Sequence, residues 1–188
     1  MSIIKIYILM GTNSKIVWLT GLSGSGKSTL AKNIKKKILK KKYKVLIIDG
    51  DKFRKKQNNV NNFTKKNIIL NNLKIIKYIS KIKSYYDFII VSVISPLKYT
   101  RQKAFNLFKE KYYEIYLKCN IKTLEKRDTK GLYSLAKKNI IKNLIGYKSK
   151  IKYEESHHEK LTIDTSKNNL TFCSNAVIKH ILKNDKNV

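Results

Sequence analysis

Near the amino end, Gly21-Leu22-Ser23-Gly24-Ser25-Gly26-Lys27-Ser28 carries the spacing GxxxxGK[ST]. Glycines so placed let successive backbone N–H groups curl around phosphate oxygens at the start of a helix, where the helix dipole favours negative charge. In such a loop Lys27 bridges the β- and γ-phosphates of a nucleotide, and the Ser28 hydroxyl ligates Mg²⁺. The nucleotide-binding set is then Gly21, Leu22, Ser23, Gly24, Ser25, Gly26, Lys27, Ser28 and Thr29. Downstream, Asp49-Gly50-Asp51 sets two carboxylates either side of a glycine. Facing different ways, they take different roles: one holds metal-bound water, the other accepts a hydrogen bond or proton from an attacking hydroxyl. Strand-end aspartates also cap turns and helices, and that plainer reading stands beside the chemical one. Arg54 is one of three arginines among 42 basic residues. A planar bidentate donor kept where lysine is used almost everywhere else suits the anionic groups of an acceptor, with a structural ion pair as the alternative. Finally, Arg127-Asp128-Thr129-Lys130-Gly131-Leu132-Tyr133 has the make-up of a lid that covers the nucleotide and brings a cation to the transferring phosphoryl group. By periodicity alone the same segment is an amphipathic surface helix.

These residues need a scaffold, and the chain supplies one. Ile16 to Thr20 is a short apolar run ending at the glycine loop, as expected of a buried parallel strand. A helix follows from Lys27 to about Lys42, with Leu30, Ile34 and Ile38 on one face and lysines on the other. Further strands are expected at Lys44 to Ile48, Phe88 to Val93, Tyr113 to Lys118 and from Lys160, with helices at Arg101 to Lys111 and Asn175 to Leu182. Strands alternating with helices give right-handed crossovers and a parallel sheet covered on both faces. The polar motifs then lie at the carboxyl ends of strands, where ligands bind in such sheets.

The 188 residues make one domain, with 1–14 as an amino-terminal extension and about 127–155 as the lid segment. The net charge of +30 would ordinarily suggest nucleic acid or an anionic membrane. Yet the 39 lysines are scattered along the chain among Ile, Asn and Tyr, as codons rich in A and T would produce, so solvated lysine faces are expected rather than a specific nucleic-acid surface. Cys119 and Cys173 lie far apart with no CxxC partner, fitting buried thiols in a reducing cytoplasm. The apolar start "SIIKIYILM" is short, contains Lys5 and lacks a small-residue cleavage site, and no window reaches the ~20 apolar residues of a membrane span. His157 and His158 are adjacent, a spacing that does not put both on one metal. They are read as a solvated loop, with His180 distant.

Taken together, the blocks "VWLTGLSGSGKSTLA" (17–31), "IDGDKFR" (48–54), "VSVISPLKYTR" (91–101), "RDTKGLYSLAKKNIIKN" (127–143) and "LTIDTS" resemble the adenylylsulfate kinase family, in family order and over roughly residues 16–182. The resemblance implies a P-loop NTPase-like three-layer α/β/α fold and transfer of the γ-phosphate of MgATP to the ribose 3′-hydroxyl of adenylylsulfate, giving 3′-phosphoadenylylsulfate. It implies ATP and Mg²⁺ as cofactors and a homodimer. By it, Asp51 engages the 3′-hydroxyl and Asp49 supports the metal shell with Ser28. Arg54, Phe63, Ile94 and Ser95 would hold the acceptor, Phe63 against its adenine. Ser95 also matches a serine that some members phosphorylate, beside the plainer reading of a structural turn. Lys130 would reach phosphate or sulfate from the lid, and Arg127 would lie by the ATP base. The chain departs from the pattern at Asn67-Ile68, where the family has Asp-Arg. It departs again at Leu144-Ile145-Gly146-Tyr147-Lys148, where the family has Phe-Thr-Gly-Ile-Asp; Leu144 would then occupy the place of a ring that closes on the adenine. These departures keep open a kinase acting on another nucleotide conjugate, such as a cytidine diphosphate derivative. A basic nucleotide-gated nucleic-acid-binding protein is the third alternative.

Overall fold

Ile16 and Trp18 point to one side of strand β1 (Lys15–Thr20), Val17 and Leu19 to the other, and all four are fully buried. A strand that is apolar on both faces must lie inside a sheet with both faces covered. The computed structural model, which describes residues 14–56, 64–156, 158 and 161–183, shows β1 at the centre of five strands. The others are β2 (Val45–Asp49), β3 (Phe88–Ser92), β4 (Tyr112–Lys118) and β5 (Leu161–Asp164). Their order is β2-β3-β1-β4-β5, all parallel, with Val17 paired to Ile90 on one side and to Tyr113 on the other.

Helices cover each face. On one, Leu30, Ala31, Ile34 and Ile38 of α1 (Lys27–Leu39) meet Val17, Leu19 and Ile90 of the sheet, joined by Val177 and Ile181. On the other, Ile75, Ile76 and Ile79 of the long helix 65–82 pack with Ala104 and Phe108 of the helix 98–108 against Ile16, Trp18, Ile89 and Val91. Between β2 and that long helix lies the short α2 (Gly50–Lys55), which makes the long one α3 (Lys65–Ile82) and the next α4 (Lys98–Phe108). After β4 come α5 (Ile121–Arg127) and α6 (Leu132–Lys137), and after β5 the carboxyl-terminal α7 (Leu170–Leu182).

The structure extends the element map in two places. Helix α3 was not foreseen from periodicity, although Thr64 caps it by accepting the Asn67 amide at 3.3 Å and its buried isoleucines recur at helical spacing. Helix α7 starts at Leu170 rather than Asn175 because Asn169 accepts the Phe172 amide at 2.9 Å and so caps it earlier. Helix α1 stops at Leu39, short of Lys42, which takes a left-handed turn at φ 64°.

Candidate active site

The glycine loop runs from the end of β1 into α1, and its carbonyls are engaged from several sides. Lys27 Nζ turns back to donate to the carbonyls of Gly21 at 2.8 Å and Leu22 at 2.7 Å, and lies 3.4 Å from Ser25 Oγ. Behind the loop, Tyr133 Oη donates to the Ser23 carbonyl at 2.8 Å and Thr165 Oγ1 to the Ser25 carbonyl at 3.1 Å. Gly26 turns the chain at φ 90° just before the first helical residue, a conformation costly for a residue with a Cβ. Burial is the main force on Lys27, pushing its ammonium down to about 7. Lys130 adds to the fall, while Asp51 and Asp49 oppose it.

The two aspartates of the β2 end diverge, as their spacing predicts. Asp49 accepts from Ser28 Oγ at 2.8 Å with one oxygen and from the amides of Asp51 and Lys52, at 3.1 and 3.2 Å, with the other. It thus caps α2 and meets the loop serine at once, so the structural and chemical readings coexist in one side chain. Burial works against its ionisation, but the hydrogen bonds from Ser28, Lys52 and Asp51, helped by Lys130, outweigh that and hold its carboxyl below the usual range. Ser92 Oγ stands 3.2 Å from Ser28 Oγ at the end of β3. This is a cluster of hard oxygen donors without nitrogen or sulfur, and it suits Mg²⁺, which takes one or two protein oxygens and fills its shell with phosphates and water. No group of three or more His, Cys, Asp or Glu side chains able to hold a metal by themselves occurs among the described residues.

Asp51 instead reaches the lid, where Lys130 Nζ donates to its Oδ2. The two side chains are 61% and 52% exposed, so the pair contributes about 0–1 kcal/mol and is easily exchanged for another partner. Lys130 is brought there by its neighbours. Asp128 accepts from the Tyr133 and Ser134 amides and from Ser134 Oγ, capping α6, and Tyr133 roots that helix on the Ser23 carbonyl. Tyr133, Ala136 and Leu144 of this segment form a small core with Leu124 of α5, with Leu22 and Tyr147 against it. Gly146, at φ 75°, lets the returning chain pass so close to Leu22 that a Cβ there would lie 2.3 Å from Leu22 Cδ2.

A cleft opens beside Asp51, lined by Gly50, Arg54, Ile68, Asn72, Val93, Ile94, Ser95, Pro96 and Ile145. Arg54 is partly buried on α2; burial lowers its pKa and Asp51 opposes the change. Ser95 takes φ 43° and its Oγ is enclosed by Asn72 Nδ2 at 3.1 Å and Thr100 Oγ1 at 3.3 Å. Ile68, Leu97 and Ile145 form an apolar wall.

Asp51, Arg54, Ile94 and Ser95 therefore come together, with Lys130 above them and the glycine loop alongside, since the Gly21 amide donates to the Ile94 carbonyl at 3.4 Å. Arg127 sits on the opposite edge of the loop: Nη2 donates to the Thr165 carbonyl and Nη1 lies 3.4 Å from Thr165 Oγ1. Phe63 and His157 lie outside the described residues. Leu144 requires a correction: it is buried in the lid core against Leu124, Tyr133 and Ala136, and its neighbour Ile145 is the residue that faces the cleft. His158 requires another. Far from a solvated loop, its side chain is 7% exposed, stacked on Phe105 at 4.7 Å and bonded to Glu114. Sequence reasoning also missed Asn72, the Tyr133 hydroxyl and a buried Arg101–Glu114 pair. The pair had a signal in the scarcity of arginine; the other two had none. On the outer face of α1, Lys32 and Lys36 are exposed one turn apart, and Lys40, just past its end, is exposed as well. No helix of the described residues is long and apolar enough to cross a membrane.

Known proteins resemble this chain over most of its length. The adenylylsulphate kinase family model matches residues 13–164. An adenylyl-sulfate kinase of Bacillus licheniformis is 34% identical over 169 residues, covering 89% of this chain and 85% of the relative. A probable adenylyl-sulfate kinase of Archaeoglobus fulgidus is 36% identical over 155 residues, covering 82% and 98%. Among solved structures, the Mycobacterium tuberculosis APS kinase CysC in complex with AMPPNP and APS superposes with a TM-score of 0.79 at 26% identity, covering 91% of this chain and 98% of that one. Shikimate kinase from Aquifex aeolicus, at 15% identity and a TM-score of 0.55, shares the fold. With the family model covering most of its length and relatives above 30% identity spanning it, this chain belongs to the adenylylsulfate kinase family.

Proposed function

We propose that this protein is an ATP-dependent kinase that moves the γ-phosphate of MgATP to the 3′-hydroxyl of adenylylsulfate, making 3′-phosphoadenylylsulfate. The observation that carries the reading is the meeting of three elements at one point: the loop with Lys27 and Ser28, the Asp51 carboxylate, and the lid cation Lys130 in contact with that carboxylate. The loop amides and Lys27 hold the β- and γ-phosphates, with Thr29 in the first turn of α1 behind them. Ser28 and Asp49 are the residues that would hold Mg²⁺, which would neutralise charge on the transferring group. Asp51 orients the acceptor hydroxyl and takes its proton as the bond from the γ-phosphorus to its bridging oxygen breaks and the bond to the 3′-oxygen forms. Lys130 exchanges its weak pairing with Asp51 for the anionic groups of the substrates. Arg54 grips the acceptor's phosphosulfate, with Ile94 and Ser95 as the turn beneath it. The enclosed Oγ of Ser95 supports a structural role there rather than phosphate carriage. Arg127 braces the nucleotide side of the loop through Thr165.

An ATP-consumption assay against adenylylsulfate and a panel of nucleotide conjugates tests this reading. Turnover is expected with adenylylsulfate; turnover confined to a cytidine compound would replace the acceptor. The Asp51→Asn variant is expected to lose turnover by about 10²–10⁴-fold while binding an ATP analogue as the unaltered enzyme does. Retention of normal turnover would remove Asp51 from its role. Of the two free thiols Cys173 is buried as expected, whereas Cys119 is only partly so; the cytoplasm suits both and supplies ATP. A homodimer is the assembly we favour on the resemblance, to be measured by light scattering.

A further inference from the structure

The most heavily bonded charged group outside the phosphate site lies behind the Ser95 turn. Arg101 on α4 and Glu114 on β4 are both fully buried, with Nε 3.1 Å from Oε1. Arg101 also reaches backbone: Nη1 donates to the Ser95 carbonyl at 2.5 Å, and Nη2 donates to the Glu154 carbonyl. Its Nε also lies 3.0 Å from Ser156 Oγ, and its guanidinium stacks 4.7 Å from the Tyr153 ring. Glu114 is equally engaged, accepting from Ser156 Oγ at 2.5 Å and Tyr112 Oη at 3.3 Å, and bonded to His158 Nε2 at 2.8 Å. Residues 153–156, which leave the lid segment, are further clipped to the turn: the Glu154 amide donates to the Pro96 carbonyl at 2.8 Å, and the Lys98 amide donates to Glu154 Oε2 at 2.9 Å. One ion pair therefore binds three parts of the chain: the cleft turn 94–96, the strap 153–156, and the central sheet through β4.

We propose that Arg101 and Glu114 are positioning residues for the acceptor: through the Ser95 carbonyl and the strap they fix the distance between the cleft turn and the lid, without touching either substrate. The proposal rests on the reading of the Asp51–Arg54–Ser95 cleft as the acceptor site. A guanidinium is needed because the acceptors lie in different directions around one plane, which a single ammonium cannot span. Buried, the bonds are stiff, and the turn has only the conformation they allow.

The test is the kinetics of Arg101→Lys and Glu114→Gln, read alongside amide hydrogen exchange. A small displacement of a binding turn lowers productive occupancy steeply, so the KM for adenylylsulfate is expected to rise about tenfold, with the KM for ATP within about twofold. Amides of Ile94, Ser95, Leu97, Lys98 and 154–156 should exchange about tenfold faster or more, with those of Leu30–Ile38 unchanged. Should Arg101→Lys not fold, Ser156→Ala removes one bond to Glu114 and is expected to raise the acceptor KM about threefold by itself. A merely structural pair would lower the melting temperature yet leave the two KM values of folded enzyme unchanged or moved together, and that result overturns the proposal. So does unaltered exchange at 94–98. Failure of the unaltered enzyme to turn over adenylylsulfate would overturn the functional reading, and the acceptor role with it, whatever the exchange shows.

Discussion

Lys27 predicts that nucleotide binding takes up a proton from solution. Its ammonium is buried among loop carbonyls and its pKa is pushed from 10.5 down to about 7, chiefly by desolvation. The γ-phosphate of a bound nucleotide brings a counter-charge to that ammonium and returns it toward the ordinary value. At pH 8 a group with a pKa of 7 is about one-tenth protonated and one near 10.5 is fully so, giving an uptake of about 0.9 proton. Affinity for an ATP analogue with Mg²⁺ should then fall about tenfold per pH unit between roughly pH 7.5 and 10. The sign for stability is the reverse of the common lysine case. A folded pKa below the unfolded one means that the unfolded chain binds more protons between pH 7 and 10.5, so the Lys27 contribution to stability rises across that window. Its upper bound is on the order of 5 kcal/mol, reduced because the Gly21 and Leu22 carbonyls already accept from the ammonium. Calorimetry at pH 8 in buffers of different ionisation enthalpy measures the uptake directly, since the nucleotide's own terminal phosphate is ionised well below that pH. The Lys27→Met variant should show none. An uptake below about 0.2 proton in the unaltered protein would refute the account of a desolvated lysine.

Two further substitutions probe how the lid seats on the loop. Gly146→Ala drives a Cβ to 2.3 Å from Leu22 Cδ2 at a backbone φ of 75°; a loss of about 1–3 kcal/mol should appear as a lowered melting temperature, and an unchanged melt would contradict the close approach. Tyr133→Phe leaves the buried Ser23 carbonyl without its donor, at about 1–3 kcal/mol. Since that carbonyl belongs to the phosphate loop, the KM for ATP should rise more than the KM for the acceptor, and equal changes would count against the link.

What was legible in the sequence follows a physical division. The glycine loop, the divergent aspartates and the parallel sheet could be read because each depends on a local pattern: glycine spacing, two acids across one residue, apolar runs ending at polar motifs. Helix α3 escaped because its apolar residues at 68, 75, 76 and 79 are interrupted by Asn71 and Asn72, which are themselves buried. Asn72 is inside because it donates to Ser95 and Thr100, side chains more than twenty residues away. The position of Leu144 escaped for a similar reason. Leu144 and Ile145 are both apolar, and which of them turns to the cleft is decided by the left-handed bend at Gly146 and the packing of Tyr147 on Tyr133, 5.3 Å between ring centres. His158 looked like loop because its partner, Glu114, lies forty-four residues earlier.

The arginines carry the deepest lesson about reading this chain. Scarcity among lysines singles out the three arginines, and the structure shows where each one lies. Arg54 lines the cleft, Arg127 holds the edge of the loop through Thr165, and Arg101 joins a cleft turn to a strap and a sheet. Lys15 supplies the contrast. Also buried, it donates to the Ile181 carbonyl at 2.7 Å and lies over the rings of Phe88 and Tyr113, which a point charge does well because ring faces and one carbonyl ask for no fork. Where a cation must meet several acceptors around one plane, a single ammonium cannot serve them all. Arg101 answers such a demand one layer behind the cleft, through the Ser95 and Glu154 carbonyls and Glu114, while Arg54 lines the cleft itself.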